Sequence, residues 1–165
     1  MILNRPTVDN LPAPTIGWLS HLWSYLNGLQ VKGTWTPVVT FSTPGDLSVA
    51  YTTQVGFYIR EHDLVCVTFG IQTSSFTHTT ASGALQITGL PFTVANKTNY
   101  FPIGSLSWAG ITKANYTDII PFITSNTTTM GFVASGSGQI RHTITSASVP
   151  TAGQVDLFGT IVYEI

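Results

Sequence analysis

Charge is what this sequence has least of: six Lys and Arg with seven Asp and Glu make up 8% of its 165 residues, against roughly 25% in an ordinary soluble domain. The six cations, Arg5, Lys32, Arg60, Lys97, Lys113 and Arg141, are scattered along the chain. Phosphate neutralisation needs them clustered, so nucleic acid is excluded as an expected partner. Cysteine is almost missing as well. Cys66 stands alone, which rules out an internal disulfide, and its run Leu64-Val65-Cys66-Val67-Thr68-Phe69 predicts a thiol buried in the core. No stretch approaches the roughly 20 apolar residues of a membrane helix, and no basic region followed by an apolar one opens the chain. The expectation is a soluble protein assembled in a cytoplasm, with no membrane partner.

Signatures of chemistry are as sparse as charge. Hydrolysis by paired carboxylates needs two acids in one cleft, whereas Asp9, Asp46, Glu61, Asp63, Asp118, Asp156 and Glu164 fall mostly at expected loops or edges. Glu61-His62-Asp63 is the only polar cluster; between two expected strands it reads as a solvated turn, with a metal or sugar contact as the sharper alternative. His21, His78 and His142 have no ligand spacing with it. Zinc, P-loop, dinucleotide and G-x-S-x-G patterns are absent. No catalytic residue, cofactor or metal is expected. The N-x-[ST] triplets at Asn96, Asn115 and Asn126 are what a threonine-rich chain produces by chance when no secretion signal accompanies them.

Threonine and serine are plentiful, spread through nearly every segment from Thr34 to Thr160. The β-branched threonine suits a half-solvated pleated face. At 43% hydrophobic, a chain of this length buries one ordinary core without disulfides or metal. So few charges also suit a surface hidden against copies of itself, because interface cores are depleted in charge; an uncharged Thr-rich exterior explains the composition equally well.

Two regions are expected, an N-terminal arm and helix over 1–32 and a β domain over 33–165. Pro6, Pro12 and Pro14 make the first stretch an extended arm without a core of its own. From Thr15 the apolar residues recur at helical spacing. Ile16, Leu19, Trp23 and Leu26 form one stripe, and Trp18, Leu22, Tyr25 and Leu29 a second. Apolar on two faces and only about 14 residues long, this helix needs packing partners. Ile16, Trp18, Leu19, Leu22, Trp23, Leu26 and Leu29 are therefore the candidate anchoring and oligomer interface; covering the base of its own domain is the alternative.

Beyond Lys32 the period becomes two. Val55, Phe57 and Ile59 predict one apolar strand face, as do Val65, Val67, Phe69 and Ile71; then Leu85 and Ile87; then Val155, Leu157, Ile161 and Tyr163. Further strands are expected at 38–42, 100–109, 118–124, 129–134 and 139–145. Pro44-Gly45-Asp46, Ala81-Ser82-Gly83 and Gly136-Ser137-Gly138 read as loop tips. Eight or nine short strands with no helical crossovers predict an all-β antiparallel sandwich or jelly roll. Tyr100, Trp108 and Tyr116, in the most irregular region, are candidate surface-recognition residues for sugar, although aromatics in small sandwiches more often fill the core.

An ordered set of short pieces carries a family resemblance: Gly33-Thr34-Trp35-Thr36-Pro37, then Tyr51-Thr52-Thr53-Gln54-Val55-Gly56-Phe57-Tyr58, the Val-rich strand 64–71, Ser82-Gly83, and Ile87-Thr88-Gly89-Leu90-Pro91-Phe92. Together they resemble the jelly-roll-like β-sandwiches of tailed-bacteriophage virion proteins, which include tail-fibre tips and small capsid-decoration or cement proteins. The resemblance covers about a third of the chain and transfers no catalytic residue. It implies a place on the virion exterior, with a homotrimer as the expected state. Two partners follow from its two branches: the phage major capsid protein for a decoration protein, a host surface glycan or protein for a fibre tip. With only 32 residues ahead of the β domain, and its apolar surplus at 16–29, the chain fits decoration better than a long fibre.

Overall fold

The computed structural model describes residues 30–136 and 138–165, together with Gly17 and Leu22, both helical in backbone. The proposed helix interface at Ile16, Trp18, Leu19, Trp23, Leu26 and Leu29, the arm before it and Ser137 lie outside the described residues. Leu22 is exposed.

Among the described residues, ten strands make two antiparallel sheets. The first has the order β1 (Gln30–Trp35), β3 (Ser48–Glu61), β4 (Leu64–Thr77), β10 (Asp156–Glu164), β6 (Gly104–Ala109). The second runs β2 (Val38–Thr43), β5 (Ser82–Thr88), β8 (Thr129–Ser135), β7 (Asp118–Ile123). Where β5 and β8 part, the short β9 (His142–Thr143) is wedged between them: the Ile144 amide donates to the Phe132 carbonyl, and the Ile144 carbonyl accepts from the Leu85 amide, both at 2.9 Å. The architecture is the all-β sandwich that the alternating pattern implies.

The core lies between the sheets. Val65, Val67, Phe69, Ile71, Leu157, Ile161 and Tyr163 face inward from one side, and Val39, Phe41, Leu85, Ile87, Met130, Phe132 and Ile123 from the other. Each of the eight residues expected as core from the strands at 64, 85 and 157 is buried. Aromatic rings in the core meet edge to face: Phe41 meets Phe76 at 5.9 Å and Trp35 meets Phe69 at 6.4 Å. Pro37 and Pro121 sit where no ladder amide is lost. Pro37 separates edge strands β1 and β2, and Pro121 lies on edge strand β7.

Several expectations are corrected. Val55, Phe57 and Ile59 do not face the core; they point outward, while Gly56 and Tyr58 face inward. The cause is Trp35, whose indole fills the space over Gly56: a Cβ there would stand 2.6 Å from Trp35 Nε1. Cys66, paired with Ile59, shares the outward face and is half-buried with its Sγ 3.8 Å from Thr160 Oγ1. The strand expected over 100–109 begins only at Gly104, because Tyr100 closes a turn on Lys97 and Pro102 has no amide to donate. That expected over 139–145 is reduced to β9, since β8 has an open edge only where β5 leaves it. Ser82 and Gly83 belong to β5 rather than to a loop tip.

Candidate interaction surface

The strands give the molecule two unlike ends. At the proximal end Gln30 pairs with Glu61, beside the turn at His62 and Asp63, the loop 89–103, the β7–β8 hairpin and Ile165, whose amide donates to the Asp63 carbonyl at 2.9 Å. The chain preceding β1 therefore joins here. At the distal end lie the segments 44–47, 78–81, 110–117, 136–141 and 146–153.

Distal loops are held from within. Asp46 accepts hydrogen bonds from the amides of Thr79 at 2.9 Å, Thr80 at 2.8 Å and Ala81 at 3.2 Å, and from the Thr79 hydroxyl. The Thr79 hydroxyl, followed by the amides of Thr79 and Thr80, holds this carboxyl far below the usual carboxylate range. Tyr116 donates its hydroxyl to the Ile140 carbonyl at 2.9 Å and meets the His142 ring edge to face. Ile140, 87% exposed, projects beside them.

The three aromatic candidates are not brought together. Tyr100 is proximal: its hydroxyl accepts from the Glu164 amide at 2.9 Å, and Lys97, ion-paired with Glu164, stands 5.5 Å from its ring centre. Trp108 pairs with Leu157 at the far end of β10 and packs against the core from β6. Tyr116 alone joins the distal cluster. Glu61, His62 and Asp63 form the exposed β3–β4 turn, closed by Arg60 Nε donating to the His62 carbonyl at 2.7 Å. Among the described residues no group of three or more His, Cys, Asp or Glu is arranged to hold a metal ion.

The least ordinary surface is the outer face of the five-stranded sheet. Antiparallel sheets usually turn a polar face to water, as the Thr40, Gln86, Thr88 and Thr129 side of the second sheet does. Here Val55, Phe57 and Ile59 of β3, Leu64 of β4, and Phe158 and Val162 of β10 are all exposed. The ladder makes them neighbours: Val55 stands opposite Gly70, itself opposite Phe158, and Ile59 opposite Cys66, itself opposite Val162. Gly70 lets the Phe158 ring lie flat across β4, since a Cβ there would meet that ring at 3.1 Å and Val55 at 3.3 Å. A hollow of about 90 Å³ lies among Phe57, Ile59, Cys66 and Thr68. Charged side chains occupy only the rim, as Lys32, Glu61, Asp156 and Glu164. Sequence reasoning missed this surface because it read Val55, Phe57 and Ile59 as the apolar face of a half-buried strand and gave Phe158 and Val162, on the alternate positions of β10, no role.

A second groove, of about 330 Å³ and mixed lining, opens where β6 and β7 diverge, lined by Ile103–Leu106 and Asp118–Ile120. The two sheets touch beside it through the Ile103–Phe122 bridge and the Ile123 amide donating to the Pro102 carbonyl at 3.0 Å.

No protein-family model and no curated protein matches the chain. Among solved structures it is similar to a crystal structure of the Dettilon tailspike protein, with a TM-score of 0.58 at 16% sequence identity. That similarity takes in 80% of this chain but only 23% of the tailspike chain, and at such identity what the two share is the β fold.

Proposed function

We propose that this chain is a non-enzymatic structural protein of a tailed-phage virion, a homotrimeric knob on the adsorption apparatus that is fixed at its proximal end and presents its distal loops to the host surface. The carrying observation is the polarity of the sandwich: the N-terminal segment joins at Gln30, and the loops with Tyr116, Ile140 and His142 lie at the opposite end of the strands. The likeness to part of a tailspike supports the tail side of the virion. The doubly apolar stretch at Ile16–Leu29 supplies the anchor, with the distal aromatics contacting a host glycan or protein.

Capsid decoration is the second reading, with the major capsid protein as partner. It is favoured by the apolar surplus, which lies on a sheet flank and at 16–29 rather than in the distal loops. Copy number in purified virions separates the two. A few tens of copies, measured by quantitative mass spectrometry, are expected for the adsorption apparatus; hundreds would overturn that placement in favour of the capsid, and none would overturn both.

A further inference from the structure

We infer that the outer face of the five-stranded sheet is where copies of this chain pack on one another, around an axis parallel to the strands. The inference rests on reading the chain as an oligomer and names the surface that makes it one.

Size and composition come first. From Leu64 to Gly70 the patch runs about 20 Å along the strands, and β3, β4 and β10 span about 10 Å between their axes. With side-chain width added, the apolar area is on the order of 300 Å², within the range of the largest apolar patch on a typical monomer, and such patches are often functional. Thr34, Thr68, Thr160, Ser105 and Ser107 extend it with neutral groups onto β1 and β6.

The occupant follows from how the preceding chain is attached. It leads into Gln30, the first residue of β1, which is an edge strand of this same sheet. A helix of about 14 residues is marginal alone, and the stretch 16–29 carries two apolar stripes. Parallel association of these segments brings the attached sheets together at high effective concentration. It also sets identical strand rows at the same height on neighbouring copies. That arrangement is tolerable only where the rows are uncharged, because like charges would otherwise meet themselves. The rows Thr34–Phe57–Thr68–Thr160 and Val55–Gly70–Phe158 satisfy this; in the neighbouring rows Lys32 stands on edge strand β1 beyond Ile59, and Glu61 and Glu164 flank Leu64 at the proximal margin of the patch.

Cys66, half-buried at the centre of the face, reports on its cover. In the full-length protein we expect sedimentation at trimer mass and maleimide labelling of Cys66 at least ~10-fold slower than in Phe57→Glu. That variant should run as a folded monomer with an unchanged β-type circular dichroism spectrum, because Phe57 does not enter the core. If Phe57→Glu fails to fold, Val162→Lys on the neighbouring strand serves in its place. Wild-type trimers with Cys66 labelled as fast as in the monomeric variant, or variants that remain trimeric, would overturn the inference and leave assembly to residues 1–29; the virion copy-number result would be untouched. A monomeric wild type at tens of micromolar would overturn it as well.

Discussion

Tyr163, fully buried in β10, donates its hydroxyl to the Phe92 carbonyl at 3.2 Å, and burial pushes its pKa up to about 12 from an ordinary 10. The folded state thus favours the protonated phenol. Its contribution to stability is fully present below pH 10 and is lost as pH rises from 10 towards 12, where the unfolded chain ionises first. Tyr163→Phe should cost about 1 kcal/mol at neutral pH through the lost hydrogen bond. The same variant should lose less stability than the parent between pH 10 and 12. Urea midpoints at pH 7, 10 and 11.5 test both halves, and parallel declines would refute the assignment. Phe69, packed against Trp35, is a position whose burial was legible from alternation alone. Phe69→Ala should destabilise by about 3–5 kcal/mol; a change under ~1 kcal/mol in chemical denaturation would contradict the strand face assigned here. Cys66 and Phe57 were not legible. Each lies in an apolar run, and hydrophobicity alone does not distinguish a residue that meets its own core from one that meets another surface.

At the scale of elements, β4 could be read from the sequence because Val65, Val67, Phe69 and Ile71 alternate with Thr68, Gly70 and Gln72, and β10 because Leu157, Ile161 and Tyr163 alternate with a set closed at both ends by Asp156 and Glu164. β3 could not. Its two sets, Val55, Phe57 and Ile59 against Gly56 and Tyr58, are both apolar or aromatic, so pattern alone chose the larger side chains. What decides the face is β1: Trp35 lies across Gly56 with Nε1 donating to the carbonyls of Phe57 and Thr68, each at 3.3 Å. Gly56→Val should therefore displace the indole and cost about 1–3 kcal/mol by overpacking. Val55→Thr, one residue away on the outer face, should leave monomer stability nearly unchanged. Thermal unfolding of the two variants, with Trp35 fluorescence as the local probe, distinguishes them. Equal effects would mean that the faces are not distinguished as described. The short β9 was illegible for another reason: it exists only because β5 and β8 separate, a tertiary event with no local sequence signal.

For the whole molecule, sandwich class and the turns at Pro44 and Glu61 followed from spacing, whereas the candidate surface emerged only when register set Val55, Gly70 and Phe158 in one row. The same register bears on how the knob carries load. Pulling on the N-terminal segment enters at Gln30 and passes along β1, whose six residues pair antiparallel with β3 from Gln30–Glu61 to Trp35–Gly56. Antiparallel bonds lie perpendicular to the strands, so a pull along the strand axis strains all of them at once in shear instead of peeling them one by one. Trp35, at the far end of that strand, acts as the stop that keeps β1 from sliding. If the proposed adsorption role holds, a knob tethered in this way grips hardest in the direction in which a particle drifting from its host would tug it.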